Sequence, residues 1–341
     1  MASFEAETKM RNRRVVLTSR PSGVAQAENF DIEEAPLASP AEGEILVRNE
    51  FLSVEPAMRG WIADTIGYAA PVAIGSVMRA LAVGRVVESR NPFYSVGESL
   101  VGWFGWQEFA KVGPEAVVRK VSESDLPISL ALGVLGINGV TALLALERIG
   151  EPREGETVLV STAAGAVGSA AGQIAKIFGC RTIGIAGGTE KKRACIEDYG
   201  YDAALDYRAG NLDAELASLC PNGVNVYFDN TAGPISDAAH RHLAIGARIV
   251  VCGTSSIANW DNWPVGPRVE RHLLVKRARM QGFVIFDHMD AWAGAVARLA
   301  NWVREGRLHY REEILSGIEA CPDALAGLYR GENLGKRLIK L

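Results

Sequence analysis

Short apolar runs alternate with amphipathic stretches along the chain from residue 157 to residue 305. The runs have the length and β-branched content of buried strands, and the stretches between them have the apolar spacing of helices. The predicted strands are 157–161, 182–186, 203–206, 224–229, 247–252 and 280–285, and the predicted helices are 167–178, 190–199, 212–219, 235–243 and 291–305. This order predicts an α/β fold with a doubly wound parallel sheet, which binds its ligand beyond the carboxyl ends of the strands.

The first third of the chain has a different pattern, in which glycine and proline separate short β-like runs at 45–47, 83–87, 100–102 and 116–121. This pattern predicts a twisted barrel-like or mixed β-rich domain. The residues from 309 onward return to mixed character, and we expect them to pack back on this domain. A chain of 341 residues has room for two domains of about 150 residues. We therefore predict one domain from 1–127 with 308–341 and a second from 128–307.

Composition and charge narrow the class of protein. Residues 1–9 are acidic and polar without an apolar core, so we expect no secretory signal and interpret them as an added leader or the product of an upstream start codon. The most apolar window, 131–146, is interrupted by glycines and is shorter than the ~20 residues that a membrane helix needs. A net charge of −4 excludes a generally basic binder of nucleic acid or anionic membranes.

The cysteines begin late in the chain, at Cys180, Cys195, Cys220, Cys252 and Cys321. They are odd in number, widely spaced and without a C-x-x-C pair. This spacing argues against a disulfide framework and against a clustered zinc site. The economical interpretation is a protein of the reducing cytoplasm.

The turn after the first strand of the parallel sheet carries a dinucleotide fingerprint. Residues 163–168 read Ala-Ala-Gly-Ala-Val-Gly, the G-x-G-x-x-G pattern with alanine in the first position. Gly165 would let the backbone approach a pyrophosphate, and Gly168 would let the helix pack closely on the strand. The alternative is a βα turn without a ligand. Because this turn follows a strand and opens a helix within successive βα units, the residues favour a dinucleotide site.

The end of the second strand indicates which dinucleotide is bound. An NAD enzyme usually places an acidic residue there to bind the adenosine ribose. This chain has small residues at 186–188, followed by a threonine, Glu190 and the cations Lys191, Lys192 and Arg193. Glu190 stands where the first turn of a helix favours an acid in any case. A basic loop with a hydroxyl favours a 2′-phosphate and hence NADP(H); the alternative is that the three cations form a solvated helix face.

Residues 1–127, the N-terminal part of the predicted β-rich domain, contain no cysteine or histidine that could bind a metal. No cysteine precedes Cys180 and no histidine precedes His240, so a zinc site in the β-rich domain would be atypical. His240 and His242 are interpreted as helix-surface residues, and the remaining histidines are isolated. Without a metal to polarise a carbonyl, hydride chemistry points to conjugated substrates whose enolate is stabilised by hydrogen bonds.

Five motifs resemble those of a known family. They are 52–60 (LSVEPAMRG), 164–169 (AGAVGS), 172–176 (GQIAK), 227–230 (YFDN) and 331–336 (GENLGK). From about residue 14 to the C-terminus, the chain resembles the zinc-independent medium-chain dehydrogenase/reductases of the prostaglandin reductase (leukotriene B4 dehydrogenase) and bacterial curcumin reductase type. The resemblance implies a Rossmann NADP-binding domain, a β-rich GroES-like catalytic domain and, usually, a homodimer. It also implies NADPH-dependent reduction of the C=C double bond of α,β-unsaturated ketones and aldehydes.

Carried over by position, the resemblance assigns cofactor contacts to three groups of residues. The pyrophosphate would meet Gly165, Ala166, Val167 and Gly168, and the adenosine 2′-phosphate end would meet Gly188, Lys191 and Tyr207. The ribose–nicotinamide half would be lined by Asn230, Cys252, Gly253, Thr254, Ser255, Ser256, Phe283, Val284, Ile285 and Asn333. For Cys252 we expect the backbone, and not the thiol, to matter.

The chain departs from the family pattern where the substrate would bind. Members often carry tyrosine at the positions of Ala57, Leu143, Ala258 and Val275, and a Met-Pro pair in place of Ile137-Asn138. Tyr68 matches a family position near the active site and is our candidate hydrogen-bond donor; the alternative is a loop tyrosine that packs on Trp61 or Trp106. Asn138 and Asn259 are substitute donors of lower rank.

The predicted reaction transfers a hydride from the nicotinamide to the β-carbon of an enone. Tyr68 would hold the enolate oxygen and solvent would protonate the α-carbon. Two other functions stay open. One is NADPH:quinone reduction, which needs no phenol. The other is an NADPH-binding sensor or structural protein that has lost catalysis, which the missing tyrosines would explain.

Overall fold

The computed structural model describes residues 11–64, 67–257 and 264–341. The chain divides into two compact units. The first is formed by Met1–Leu132, Ile314–Arg330 and Arg337–Leu341, and the second by Gly133–Glu313 and Gly331–Lys336. The boundaries predicted at 127/128 and 307/308 lie a few residues earlier than these. The segment 331–336 groups with the second unit and not with the first, because Gly335 N–H donates a hydrogen bond to the Ala164 carbonyl oxygen.

The first unit is rich in antiparallel β-structure. Its elements are β1 (Arg11–Leu17), β2 (Phe30–Pro36), β3 (Ile45–Ser53), the short helix α1 (Met58–Trp61), β4 (Ala82–Ser89), β5 (Ser99–Gly102), β6 (Phe109–Val112) and β7 (Val117–Lys120). β3 pairs with β4 and β6, β4 pairs with β5, and β5 pairs with β7. Fully buried Trp106, Met78 and Leu100 belong to the core that these strands enclose.

The first unit has two strands, β1 and β2, before residue 45, where the sequence pattern placed its first β-like run. β1 and β2 form a separate antiparallel pair. The polar residues that obscure the pattern form ion pairs across it, with 2.8 Å between Arg11 and Glu34 and 3.1 Å between Arg14 and Glu33. Val15 and Leu17 of β1 are completely buried. Buried apolar residues at one end and cross-strand charge pairs at the other therefore form a strand whose first half is mainly arginine.

The second unit contains the predicted alternation of strands and helices. In chain order it has α2 (Ile137–Ala145), β8 (Thr157–Ser161), α3 (Ala166–Ile177), β9 (Arg181–Ala186), α4 (Thr189–Glu197), β10 (Ala203–Asp206), α5 (Leu212–Leu219), β11 (Val224–Asp229), α6 (Gly233–Arg241), β12 (Leu243–Val251), α7 (Glu270–Lys276), β13 (Arg279–Gly282) and α8 (Trp292–Arg304). The strands form one parallel sheet in the order β10-β9-β8-β11-β12-β13. The predicted doubly wound α/β fold is confirmed.

The last strand of this sheet is shorter than predicted. The sequence places it at 280–285, but β13 ends at Gly282 and a 3-10 helix covers Ile285–Ala291. Phe283 and Ile285 are nevertheless buried, each 5% exposed. Their apolar character therefore reflects packing in a turn and not a continuation of the strand.

The C-terminal elements are β14 (Glu312–Ser316), α9 (Cys321–Arg330) and β15 (Lys336–Lys340). β15 pairs antiparallel with β3, and β14 forms the edge beyond it, which gives a seven-stranded sheet. In the described part of the chain, no helix combines the length and apolar character that a membrane crossing requires.

Candidate functional site

The fingerprint turn joins β8 to α3 at the carboxyl end of the parallel sheet. Gly165 is extended, with φ −85° and ψ 175°, and the twelve-residue helix α3 begins directly after it. The N–H groups of its first turn have no partner within the helix and form a site that attracts anions. A Cβ atom on Gly168 would lie 2.1 Å from the Thr162 carbonyl oxygen. Helix and strand therefore approach each other so closely that only glycine fits at position 168.

A buried tyrosine that the sequence analysis missed holds α3 in place. The Tyr201 hydroxyl donates a 2.6 Å hydrogen bond to the Gly168 carbonyl oxygen. Its ring occupies the space where a Cβ on Gly172 would lie, 2.0 Å from the nearest ring carbon. Burial raises the pKa of Tyr201 well above its ordinary value, so the hydroxyl keeps its proton and remains a donor. The signal in the sequence was Gly172, a glycine in the middle of an apolar helix.

The segment 331–336 lies beside the fingerprint turn. Gly335 N–H donates to the Ala164 carbonyl oxygen at 2.9 Å, and Gly165 and Gly335 form a parallel β-bridge. The Asn333 side-chain amide donates to the Gly335 carbonyl oxygen at 3.0 Å. The structure thus brings Asn333, far away in the sequence, to the end of the sheet where the fingerprint lies.

A cavity of about 490 Å³ opens beside the loops that follow β9 and β10. Its lining carries charges of both signs and comes from four separate parts of the chain: Gly187, Gly188, Thr189, Glu190, Lys191, Arg208, Arg311, Glu312, Glu313, Gly331, Glu332 and Leu334. Gly188 has φ +94°, a conformation that favours glycine. Its N–H donates to the Asp206 carboxylate at 2.9 Å, and this hydrogen bond is the main reason that the pKa of Asp206 is lowered.

The cations at this cavity differ in part from those that the sequence indicated. Lys191 lines it, and its ammonium donates to the Gly331 carbonyl oxygen at 2.8 Å. Arg193 instead pairs with Glu197 on the helix surface, 3.6 Å away. Two arginines that the sequence analysis did not name, Arg208 and Arg311, also line the cavity.

Tyr207 and Arg208 form one unit at this edge of the cavity. The Tyr207 ring packs on Gly187, where a Cβ would lie 2.7 Å from the ring. The Arg208 guanidinium lies 5.7 Å from the centroid of the same ring. The adjacent Tyr207 was the available sequence signal for Arg208. No sequence signal indicated Arg311, because it lies more than a hundred residues after Arg208 in a segment assigned to the other domain.

The segments assigned to the ribose–nicotinamide half follow three adjacent strands. Asn230 follows β11, 252–256 follows β12, and 283–285 follows β13. The Asn230 amide donates to the Ser161 carbonyl oxygen at 2.7 Å, and Phe283 N–H donates to the Val251 carbonyl oxygen at 3.0 Å. Because parallel strands end at the same edge of a sheet, all three segments lie on the side of the fingerprint turn.

The Cys252 thiol is not a reactive group. Burial raises its pKa to about 12, with a smaller contribution from the negative charge of Asp229. Its backbone N–H donates to the Asp229 carbonyl oxygen at 2.8 Å. The residue therefore contributes a backbone contact to the loop.

The two predicted catalytic residues lie in different units. Tyr68 belongs to the first unit and is 59% exposed. Its loop is fastened by Arg79, which donates to the Ala70 carbonyl oxygen at 2.8 Å and lies over the Trp61 ring. Asn138 belongs to the second unit, where it is 6% exposed in the first turn of α2. Ala258 and Asn259 lie outside the described residues.

The first unit also holds the phenol of Tyr329, which the sequence analysis did not name. Its hydroxyl donates to the Pro56 carbonyl oxygen at 2.8 Å. Burial raises its pKa above the ordinary value, and the hydroxyl therefore keeps its proton. Its hydrogen bond fastens α9 to the loop before α1.

The interpretation of His240 as a surface residue is wrong. It is 7% exposed and packs edge-on against Tyr227, with 6.1 Å between ring centroids, because α6 turns this face toward β11. Burial lowers its pKa. His242 lies at the end of the same helix, 3.0 Å from the Asp213 carboxylate. Across residues 11–64, 67–257 and 264–341, no three His, Cys, Asp or Glu side chains are placed to hold a metal ion together.

Comparison with known proteins gives matches over nearly the whole chain. A family model described as the N-terminal domain of oxidoreductase matches residues 13–121, and one described as zinc-binding dehydrogenase matches 166–301. The chain is 42% identical over 340 residues to the NADPH-dependent curcumin reductase of Escherichia coli, with 98% of each chain covered. It is 32% identical over 333 residues to the NADP-dependent 2-alkenal reductase of Nicotiana tabacum, with 96% of this chain and 97% of the relative covered.

The similarity extends to solved structures. The crystal structure of CurA in complex with NADPH from Vibrio vulnificus matches with a TM-score of 0.91 and 41% sequence identity. The match covers 96% of this chain and 98% of that chain.

Proposed function

The chain belongs to the NADP-dependent medium-chain dehydrogenase/reductase family, and we propose that it reduces the C=C double bond of α,β-unsaturated ketones and aldehydes. NADP(H), predicted from the basic loop after β9, is its cofactor. The observation that carries the proposal is the near-complete match to NADPH-dependent reductases, one of which is named for 2-alkenals, the α,β-unsaturated aldehydes.

The second unit offers a fitting environment for the phosphates of NADP(H). We assign Gly165, Ala166, Val167 and Gly168 to the pyrophosphate, because they form the start of α3, where backbone N–H groups favour an anion. We assign Gly188, Lys191 and Tyr207 to the adenosine 2′-phosphate end. The cavity beside them supports this assignment, since Lys191 and Arg208 both line it.

The ribose–nicotinamide half is assigned to the segments at the ends of β11, β12 and β13. These are Asn230, residues 252–256 and residues 283–285, joined by Asn333. Most of these segments are fastened by backbone hydrogen bonds, such as that from Phe283 N–H to Val251. Such a frame orients a bound group before the reaction begins.

When bound, NADPH would be the source of the hydride that the β-carbon of the substrate accepts. The contribution of the chain is to hold the negative charge that forms on the carbonyl oxygen. We assign this role to the Tyr68 hydroxyl, which is mostly exposed on a fastened loop, with the Asn138 amide as the second candidate donor. Solvent protonates the α-carbon.

The proposal is tested by measuring NADPH consumption with enals, aryl enones and quinones, each with and without a chelator. We expect enals and aryl enones to react fastest and the chelator to have no effect. Faster reaction of quinones would replace the proposal with quinone reduction. Ordinary NADPH binding without consumption by any compound would indicate a binding protein that has lost catalysis. Loss of activity on chelation would overturn the metal-independent mechanism.

We further propose that the protein is a cytoplasmic homodimer. β13 is an edge strand of the parallel sheet, and α7 before it leaves Leu274 and Val275 exposed by 76% and 50%. A second copy paired along β13 would cover these side chains. The odd number and wide spacing of the five cysteines support a reducing compartment. Light scattering after size-exclusion chromatography should give the mass of two chains, and a monomer would contradict the assembly.

A further inference from the structure

Asp229 is a buried carboxylate that the proposed chemistry does not use directly. It is the last residue of β11 and is 3% exposed. Its side chain accepts six hydrogen bonds, all from neutral donors. They come from the hydroxyls of Ser161 (3.2 Å), Tyr227 (3.0 Å), Thr231 (3.1 Å) and Ser236 (2.5 Å) and from the backbone N–H groups of Thr231 (2.9 Å) and Ala232 (3.0 Å).

This set of donors suits a carboxylate better than any neutral side chain of the same shape. An ionised aspartate only accepts hydrogen bonds, and the two backbone N–H groups can only donate. Burial and the adjacent charge of Asp229 raise the pKa of Tyr227 well above its ordinary value, so its hydroxyl also keeps a proton to donate. Five of the six donors lie on Oδ1 and the Ser236 hydroxyl lies on Oδ2, so an asparagine would set its NH₂ group against Ser236 or, in the opposite orientation, against the other five donors.

The carboxylate holds the loop 230–233 in a conformation that its sequence does not favour. Ala232 has φ +59° and ψ −164°, a region that residues other than glycine rarely adopt. The Ala232 N–H is one of the six donors to Asp229. The strained residue is thus itself hydrogen-bonded to the Asp229 carboxylate.

The same residue fastens a second loop, 252–257. The Asp229 carbonyl oxygen accepts hydrogen bonds from Cys252 N–H at 2.8 Å and Gly253 N–H at 3.1 Å. The two loops are also joined directly. The Ser255 hydroxyl donates to the Asn230 carbonyl oxygen at 3.0 Å, and the Ser256 hydroxyl donates to the Thr231 carbonyl oxygen at 2.6 Å. A change in the first loop will therefore displace the second.

We propose that Asp229 is a positioning residue whose carboxylate holds the loop 230–233, and through it the joined loop 252–257, in the conformation that binds the nicotinamide half of NADP(H). This inference rests on the proposed function, which assigns Asn230 and residues 252–256 to that half. The adenosine end is assigned to the loops after β9 and β10, which Asp229 does not contact through any of these hydrogen bonds. The two ends of the cofactor should therefore respond differently to its replacement.

The test compares the Kd of NADPH with the Kd of adenosine 2′,5′-bisphosphate, a probe of the adenosine end alone, by calorimetry. Asp229→Asn should weaken NADPH binding about tenfold or more, the equivalent of losing a hydrogen bond to a charged group, and leave the bisphosphate Kd unchanged. Adding Ala232→Gly should restore part of the NADPH affinity, because glycine adopts this conformation without strain.

Asp202→Asn is the matched control. Asp202 also accepts a backbone and a hydroxyl hydrogen bond, both from Thr182, at 2.8 and 3.3 Å, and it lies away from these loops.

Unchanged NADPH affinity in Asp229→Asn, or equal weakening of both ligands, would overturn the inference. If that variant does not fold, Thr231→Val and Ser236→Ala each delete one hydroxyl donor and are measured in the same way. Unchanged NADPH affinity in both would also overturn it. Failure of the unsubstituted protein to bind NADPH would instead overturn the proposed function, so the two failures are distinguishable.

Discussion

At the scale of single residues, Tyr68 makes the most direct contribution to the proposed reaction. Replacing it with phenylalanine removes the hydroxyl and keeps the ring. We expect Tyr68→Phe to lower kcat for the best enone by about 10²–10³-fold, the usual effect of losing one donor to a developing oxyanion. NADPH affinity should not change, because the cofactor is assigned to the second unit. Steady-state kinetics and NADPH titration measure the two quantities separately.

Tyr310→Phe is the matched control for this substitution, because Tyr310 is also an exposed phenol, at 41%. It should leave kcat unchanged. If Tyr68→Phe also left kcat unchanged, the role of Tyr68 would be rejected, and the Asn138 amide at the start of α2 would be the next donor to replace.

His240 gives a prediction about how the free energy of unfolding depends on pH. Burial is the largest cause of its lowered pKa, and His272 also lowers it, whereas Asp229 and Asp237 oppose the shift. Below the ordinary histidine pKa of about 6.5, the unfolded chain binds the proton more readily than the folded chain. The free energy of unfolding should therefore fall as the pH falls from about 6.5 through the lowered pKa. Urea unfolding at several pH values measures this dependence.

The variant His240→Leu should show a shallower loss of stability over that pH range, because leucine does not titrate. His309→Asn replaces an exposed histidine and should keep the slope of the unsubstituted protein. Identical slopes for all three proteins would show that His240 does not contribute to the pH dependence.

At the scale of elements, the packing of α3 on β8 depends on Gly168. A methyl group there would lie 2.1 Å from a backbone oxygen that cannot move without displacing the turn. We expect Gly168→Ala to lower the free energy of unfolding by about 1–3 kcal/mol, which is typical of overpacking. NADPH binding should also weaken, because the displaced turn carries the start of α3. Urea unfolding and NADPH titration test both effects.

Gly294→Ala is the control, because a Cβ there would meet nothing within 4 Å and the residue lies in α8. Alanine should be neutral or stabilising by up to about 1 kcal/mol there, as helix propensity favours it over glycine. A loss of stability as large as that of Gly168→Ala would show that the packing argument is incorrect.

The loops after β9 and β10 form the second functional element. Lys191 lies at the start of α4 after β9, Arg208 lies in the turn after β10, and both line one cavity. We expect Arg208→Gln to raise the KM for NADPH roughly tenfold, since it removes one charged partner of the 2′-phosphate. The KM for NADH, which lacks that phosphate, should not change. Steady-state kinetics with both cofactors make the comparison.

Lys192→Gln is the matched control, because it removes a cation from the same helix as Lys191 at a position outside the cavity lining. Its KM values should match those of the unsubstituted protein. An equal rise in KM for NADPH and NADH in Arg208→Gln would indicate a general change in the site and contradict recognition of the 2′-phosphate.

At the scale of the whole molecule, the sequence predicts best what depends on local pattern. The inner strands β8, β9, β11 and β12 are mostly apolar and buried, because helices cover both faces of the sheet, and the fingerprint glycines follow the first strand. The order of elements and the position of the fingerprint could therefore be predicted. β1 could not, because Arg11 and Arg14 pair with glutamates of β2, and no local pattern reveals these contacts.

The details of the candidate site depend on contacts between distant residues. Arg208 and Arg311 are brought to one cavity only by folding, and Ala232 adopts a backbone conformation that nothing in its sequence indicates. His240 looked like a surface residue because Asp237, Arg241 and His242, close to it in the sequence, are polar. No pattern predicts the catalytic donor, because Tyr68 lies in a loop without periodicity and the positions with family tyrosines hold other residues.

The five thiols give a prediction for the whole molecule. Burial raises the pKa of Cys180 and Cys220 to about 11 and that of Cys195 and Cys252 to about 12, and it also raises the pKa of Cys321. Because the thiolate is the reactive form, an aromatic disulfide reagent at neutral pH should label the folded protein slowly and all five thiols quickly in urea. Fewer than five thiols in urea, without added reductant, would indicate a disulfide and contradict the proposed cytoplasmic location. A fast-reacting thiol in the folded protein would instead locate a cysteine that is not protected by burial.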